Sequence, residues 1–207
     1  MGRGQLRLGI DYMLRSDSPG MDWQLFRRAV HVCAPLFAIY YFLPDPILPG
    51  LPLDQGVLFV MLFALGFEAL RLIFRIKVPG MRSYEFDRPS AAAFTAVGMT
   101  AALLLFPIEL TLPALMCMGW VDPLIGELRR RGSDLNPTLP MVVYFTIMLL
   151  GLMYFQGLTF PVLLSAVLIT PIALFLESRR FRFLDDDIVL ILVPLLLLGL
   201  IFGKLPW

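Results

Sequence analysis

The stretch FLESRRFRFLDDDIVLILVP, residues 175–194, sets three consecutive carboxylates directly against an apolar run. A single aspartate at a helix start satisfies orphan amides and suits the helix dipole, a placement worth about 0.3–1 kcal/mol. One cap needs one aspartate, and Asp185 is the natural choice. Asp186 and Asp187 then repel each other and their neighbour unless cations lie close by. Arg179, Arg180 and Arg182 are one source of positive charge. A divalent metal is another: Mg2+ takes carboxylate and water oxygens, often shared with substrate phosphates. Glu177 ends the preceding apolar run and belongs to the same group of acids.

Four further groups carry charge into apolar surroundings. In FRRAVHVCAPL the only histidine, His31, follows Arg27 and Arg28 by four and three residues, so all three share a helical face. The ordinary meaning is a basic stop at a membrane edge. The sharper one is a cationic pocket for phosphate, with the imidazole as donor or proton acceptor. Glu68 and Arg71 stand three apart inside an apolar run, where a bare carboxylate must be paired or wet. An intrahelical ion pair is the simpler explanation for them. Arg82, Glu85, Asp87 and Arg88 precede PSAAAF, whose small residues permit close helix approach. Finally, MGWVDPLIGELRRRG places Asp122 before a proline and between Gly119 and Gly126. The composition predicts a broken helix there, with half-helix ends and exposed amides facing an anionic ligand. Asp122 is the strongest single candidate for function.

The elements that must position these residues are membrane helices. Across 207 residues the chain is 58% hydrophobic and only 16% charged, with a mean hydropathy of +0.80. A soluble domain is ordinarily about a quarter charged. Apolar stretches near 29–48, 55–74, 90–107, 109–126, 139–155, 158–176 and 187–203 each approach the roughly 20 residues a spanning helix needs. The expected fold is therefore all-α: a polytopic bundle of about seven spans, the fourth broken near Asp122-Pro123. Residues 1–28 form a polar N-terminal segment, too broken for a signal peptide and only weakly suited to lie along the interface. Residues 29–207 form one transmembrane domain. Cys33 and Cys117 both fall in apolar runs and imply no disulfide.

Seven spans divide the charges unevenly. Of the 17 Lys and Arg, all but Lys204 fall on the side of the N-terminus, which the positive-inside rule makes cytoplasmic. Of the 16 acids, only Asp45, Asp54 and Glu109 fall opposite. The rule explains the arginines but not the acids packed among them. A cytoplasmic polar site built from several helix ends explains both.

Taken in chain order, the groups resemble the dolichol kinase and phytol kinase family, the CTP-dependent polyprenol kinases of membranes. The matched pieces are RRAVH, then Glu68 with Arg71, then Glu85 and Arg88 before PSAAAF, then DPLIG, then Glu177 followed by the acidic cluster. They spread from about residue 27 to 194. Each is short, and their order and shared membrane side carry the resemblance. It departs from the family in the loop after Asp122, where RRRGSDLNPTLP stands and Arg129 to Arg131 supply the charge.

The resemblance implies transfer of a phosphoryl group from CTP, or another nucleotide, to the hydroxyl of a long isoprenoid alcohol with Mg2+. Asp122, His31 and Glu85 are then the expected catalytic groups. Arg27, Arg28, Arg71, Arg88, Arg129 and Arg130 would bind the nucleotide phosphates, and Asp122, Glu177, Asp186 and Asp187 the metal. The expected partners are a membrane lipid alcohol and a nucleotide, with no nucleic acid. Two alternatives stay open on the sequence: a CTP-dependent lipid cytidylyltransferase, and a non-catalytic lipid-binding or transport protein.

Overall fold

The computed structural model of the chain describes residues 23–76, 78, 81, 83–179 and 185–205. Helices dominate them: α1 Trp23–Val32, α2 Leu53–Phe74, α3 Ala91–Leu105, α4 Ile108–Arg130, α5 Thr138–Gln156, α6 Phe160–Ser178 and α7 Asp186–Phe202. Two 3-10 segments, Ala34–Phe42 and Ser83–Asp87, complete the set, and no strand is present among the described residues. The all-α expectation is met. Four helices, α2, α4, α5 and α6, are long and apolar enough to cross a membrane. At 15 and 17 residues, α3 and α7 are shorter.

The first apolar stretch is not one α-helix. It runs as α1 to Val32, then tightens into the 3-10 segment, with Pro35 in its first turn. Proline lacks the amide that an uninterrupted ladder needs and crowds the turn before it. The N-terminal segment up to residue 22 lies outside the described residues.

The fourth stretch departs from expectation in the opposite direction: α4 is continuous from Ile108 to Arg130, through Pro113, Gly119, Pro123 and Gly126. The predicted break at Asp122-Pro123 is not there. A helix surrounded by other helices tolerates internal prolines, because its neighbours occupy the freed positions. Gly119 serves a crossing rather than a turn. A Cβ at that position would stand 2.5 Å from the His31 carbonyl oxygen, so only glycine lets α1 pass this close. The crossing is fixed further by Trp120, whose Nε1 donates to the Val32 carbonyl at 3.1 Å. Pro113 packs into a second close approach, where a Cβ on Gly151 of α5 would meet its ring at 2.9 Å.

Helix α4 is the axis of the bundle. It touches α1, the Ala34–Phe42 segment, α3, α5 and α7. Leu110, Leu115 and Cys117 on α4 are fully enclosed, against Met148 and Leu152 of α5, Ile169 of α6, and Ile191, Leu195 and Leu198 of α7. Helix α2 is the contrast. Phe59, Val60, Phe63, Phe67, Ile73 and Phe74 lie exposed along it, and of its 22 residues only Leu53, Glu68 and Arg71 are buried. A helix that buries its charges and exposes its phenylalanines is solvated by hydrocarbon, the inverse of a water-facing helix.

The two ends of the bundle differ. Where α4 begins and α7 ends, Lys204 Nζ donates to Glu109 Oε1 at 2.5 Å. At the other end α2, α4 and α6 finish while α3 and α7 begin. Among the described residues, most of the remaining charge lies on or next to these helix ends.

Candidate functional site

Helix α7 starts as the aspartate run requires. Asp185 is the N-cap, its Oδ1 accepting from the Asp187 amide at 3.2 Å. Burial, together with the neighbouring carboxylates of Asp186 and Asp187, pushes the Asp185 carboxyl up to about 7. Asp187 is turned inward and is 2% exposed. Its Oδ2 lies 3.1 Å from Thr95 Oγ1, one turn into α3, and its Oδ1 lies 3.3 Å from His31 Nε2 on α1. The same His31 nitrogen is 3.8 Å from Asp122 Oδ2 on α4. Four helices thus deliver one imidazole, one hydroxyl and two carboxylates to a single point.

The ligating atoms of His31, Asp122 and Asp187 lie within 4.8 Å of one another, as do those of Asp185, Asp186 and Asp187. Asp187 belongs to both sets. The first, with one nitrogen and two oxygens, has the donor chemistry of Mn2+ or Zn2+, while the all-oxygen second suits Mg2+. Both fit a divalent cation by the type and closeness of their donor atoms. Of the four residues expected to hold metal, Asp122, Asp186 and Asp187 meet here. Glu177 is held instead by Arg129, whose Nη2 donates to its two oxygens at 3.2 and 3.0 Å.

The arginines at this end of the bundle are paired, Arg28 and Arg129 across helices and Arg130 and Arg131 within α4. Arg28 Nη1 donates to Glu127 Oε2 at 2.6 Å, joining α1 to α4. Glu127 also accepts from Arg130 at 2.8 Å and from Arg131 at 2.5 Å. Arg129 and Arg130 remain more than half exposed while paired. Arg28, Arg129 and Arg130 therefore lie at the same end of the bundle as the carboxylates, each partly exposed and paired with a glutamate for which an anion could compete.

Arg71 does not. It is 1% exposed, with Nε and Nη2 held by Glu68 at 2.9 and 2.7 Å, and Nη2 also donates to the Arg88 carbonyl at 2.7 Å. Glu68 accepts from the Ser90 amide at 2.5 Å, and Ser90 caps α3 by accepting from Ala93. The pair is a clasp that ties the end of α2 to the start of α3, and enclosure removes Arg71 from the phosphate-binding set. Glu85, in the Ser83–Asp87 turn, is buried and acts electrostatically on Arg71, so it stands with the clasp. Arg88 contributes its carbonyl there while its side chain is exposed. Arg179 lies over the Phe175 ring at 4.8 Å rather than beside the aspartates. The side chain of Arg27, and all of Arg180 and Arg182, fall outside the described residues.

Two participants were missed from sequence. Glu127 has the spacing of an intrahelical acceptor for Arg130 and Arg131, a signal that was legible. Thr95 gives none, being one hydroxyl among small residues. Comparisons with protein-family profiles, with curated proteins and with solved structures return no match to this chain.

Proposed function

We propose that the chain is an integral-membrane lipid kinase, transferring the terminal phosphoryl group of CTP or another nucleoside triphosphate to the hydroxyl of a long-chain isoprenoid alcohol. The observation that carries this reading is the meeting of His31, Asp122 and Asp187 from three separate helices, at a bundle end where Arg28, Arg129 and Arg130 are also gathered. Phosphoryl transfer asks a protein mainly for positioning and charge stabilisation, and a rim of carboxylates and arginines at the edge of lipid supplies both.

In this account the triphosphate displaces Glu127 and Glu177 from their arginines and takes those donors for its own oxygens. Asp122, Asp186 and Asp187 would hold a divalent cation, with His31 as a further ligand or as the proton acceptor; when bound, the metal neutralises charge on the β- and γ-phosphates. The alcohol oxygen forms a bond to the γ-phosphorus as the bond to the β–γ bridging oxygen breaks. Its proton passes to Asp122 or His31, CDP leaves, and the lipid phosphate remains with its chain in the bilayer. The charge distribution supports about seven passes, with the N-terminus and site in the cytoplasm and the C-terminus opposite.

Asp122→Asn tests the assignment. In protein that melts like wild type, lipid phosphate formation should fall about 100-fold or more, the usual scale for a lost proton acceptor or metal ligand. Full activity in that variant contradicts the reading. Chelation should abolish wild-type turnover, with recovery on adding Mg2+ or Mn2+.

A further inference from the structure

Thr95 sets a hydroxyl against one member of the His31, Asp122 and Asp187 donor set. A threonine inside a helix ordinarily gives its proton to the carbonyl four residues back. Here that carbonyl, on Ala91, lies 2.9 Å away, and Asp187 Oδ2 competes for the same proton at 3.1 Å. One hydroxyl has one proton to give, and the bond to a carboxylate is the stronger of the two. Asp187 therefore takes it.

The packing between α3 and α7 is built around this contact. Gly98, one turn further along α3, lets α7 lie close: a Cβ there would stand 3.2 Å from Ile188 Cγ1 and 3.4 Å from Ile188 Cα. Ile188 follows Asp187 directly, so the approach at Gly98 sets the aspartate opposite Thr95. The start of α3 is held in turn by Ser90, whose amide donates to Glu68 of the clasp.

The two oxygens of Asp187 consequently have different neighbours. Oδ2 faces Thr95, while Oδ1 faces His31 Nε2 at 3.3 Å, the nitrogen that Asp122 also approaches. At 2% exposure the aspartate is packed in place between these partners. It presents one oxygen to a cation and keeps the other committed. Mg2+ demands compact, near-octahedral coordination, and Mn2+ shares that preference. Ca2+ instead collects about six to eight oxygens and readily takes a carboxylate through both of its own.

We infer that Thr95 is a specificity-determining residue of the cation site: by holding Asp187 Oδ2 it restricts this aspartate to one oxygen and so favours Mg2+ and Mn2+ over Ca2+. The inference rests on the divalent-cation part of the lipid-kinase reading. Thr95 acts through Asp187 and is a positioning residue.

The test reads metal binding rather than turnover. The full chain in nanodiscs of zwitterionic lipid is stripped with chelator and titrated with Mn2+, followed by the electron paramagnetic resonance signal of the free ion. Mg2+ and Ca2+ are then measured by displacement. Wild type should bind Mn2+ and Mg2+ more tightly than Ca2+. Thr95→Val, close in shape and lacking the hydroxyl, should bind Mn2+ and Mg2+ about 10-fold more weakly, the scale of a lost partner to a metal ligand. Its Ca2+ affinity should hold or rise, because the released oxygen becomes available. Thr95→Ser should restore the wild-type order, and Thr95→Ala should reproduce the Thr95→Val pattern without the added methyl. A general loosening of α3 against α7 would weaken all three ions alike. Equal losses for the three ions, unchanged Mn2+ affinity in Thr95→Val, or a wild type with no preference against Ca2+ overturns the inference. A wild type that binds none of the ions removes the cation site and the inference together. The kinase reading fails separately. Selectivity that depends on Thr95, with no lipid phosphate formed on adding CTP and a lipid alcohol, removes the kinase and keeps the inference. Mg2+-dependent lipid phosphate formation, with unaltered ion selectivity in Thr95→Val, removes the inference and keeps the kinase.

Discussion

His31 Nε2 stands 3.3 Å from Asp187 Oδ1, across 156 residues of sequence. The contact locks the first described helix to the start of the last, and Asp122 lies on its open side at 3.8 Å from the same nitrogen. Among the described residues this point gathers one imidazole nitrogen and two carboxylates as a donor set. A divalent cation is the natural complement.

The first prediction follows from that donor set. Mn2+ or Mg2+ added to chelated protein should raise the thermal midpoint, because a ligand bound only by the folded state stabilises it by about 2.7 kcal/mol at 100 times its dissociation constant. Asp187→Asn should lose most of the gain, and His31→Ala should lose more of the Mn2+ effect than of the Mg2+ effect. Identical metal responses in all three proteins contradict the assignment.

Asp185 gives a pH dependence. Its carboxyl, near 3.9 in an unfolded chain, is pushed up to about 7 by burial and by Asp186 and Asp187. Between those values the folded protein holds a proton that the unfolded chain has released, so this group's contribution is full below about 4 and is lost as pH rises through about 7. Asp185→Asn keeps an oxygen to cap the Asp187 amide and removes the titration. In chelator, the stability of this variant relative to wild type should increase from pH 4 to pH 7.5 and then level off. A difference that stays flat across that range contradicts the raised value.

The Glu68–Arg71 clasp predicts a stability effect rather than a catalytic one. Arg71→Met leaves a carboxylate buried without its partner and should destabilise by about 3–5 kcal/mol in denaturation from detergent micelles. Adding Glu68→Gln should recover part of that loss, since the amide oxygen still accepts from Ser90 without a charge. An unchanged Arg71→Met protein that has lost only nucleotide affinity would restore Arg71 to the phosphate site.

Gly119 should be intolerant for a reason unrelated to backbone freedom. Gly119→Val drives side-chain atoms against the His31 carbonyl, displaces α1, and should lower both the thermal midpoint and the metal response. Gly126→Ala, on the same helix with open space around it, is the matched control and should leave both unchanged.

These elements also show where sequence sufficed. Hydropathy identified the apolar segments and the uneven ends of the bundle, because length and charge partition are one-dimensional properties. The capping role of Asp185 was equally readable, since a helix start needs one local acceptor. The Asp122-Pro123 break was misjudged because glycine and proline mark a turn in water but serve as a crossing surface inside a helix bundle. Arg71 and Arg28 look alike in a string, yet one is sealed by Glu68 and the other stands half-open against Glu127. Which arginine faces a ligand depends on packing between helices, and no spacing rule reaches across them. Thr95 became visible only when α3 met α7.

The central claim is tested most directly by following the phosphoryl group. CTP labelled at its γ-phosphate and, in parallel, at its α-phosphate should be supplied with Mg2+ and geranylgeraniol or phytol to the purified chain in proteoliposomes. The account predicts γ-label in a lipid monophosphate with α-label left in CDP, and neither product with Asp122→Asn. Label from the α-phosphate in a CDP-lipid, or no transfer from any nucleoside triphosphate by well-folded wild type, contradicts it.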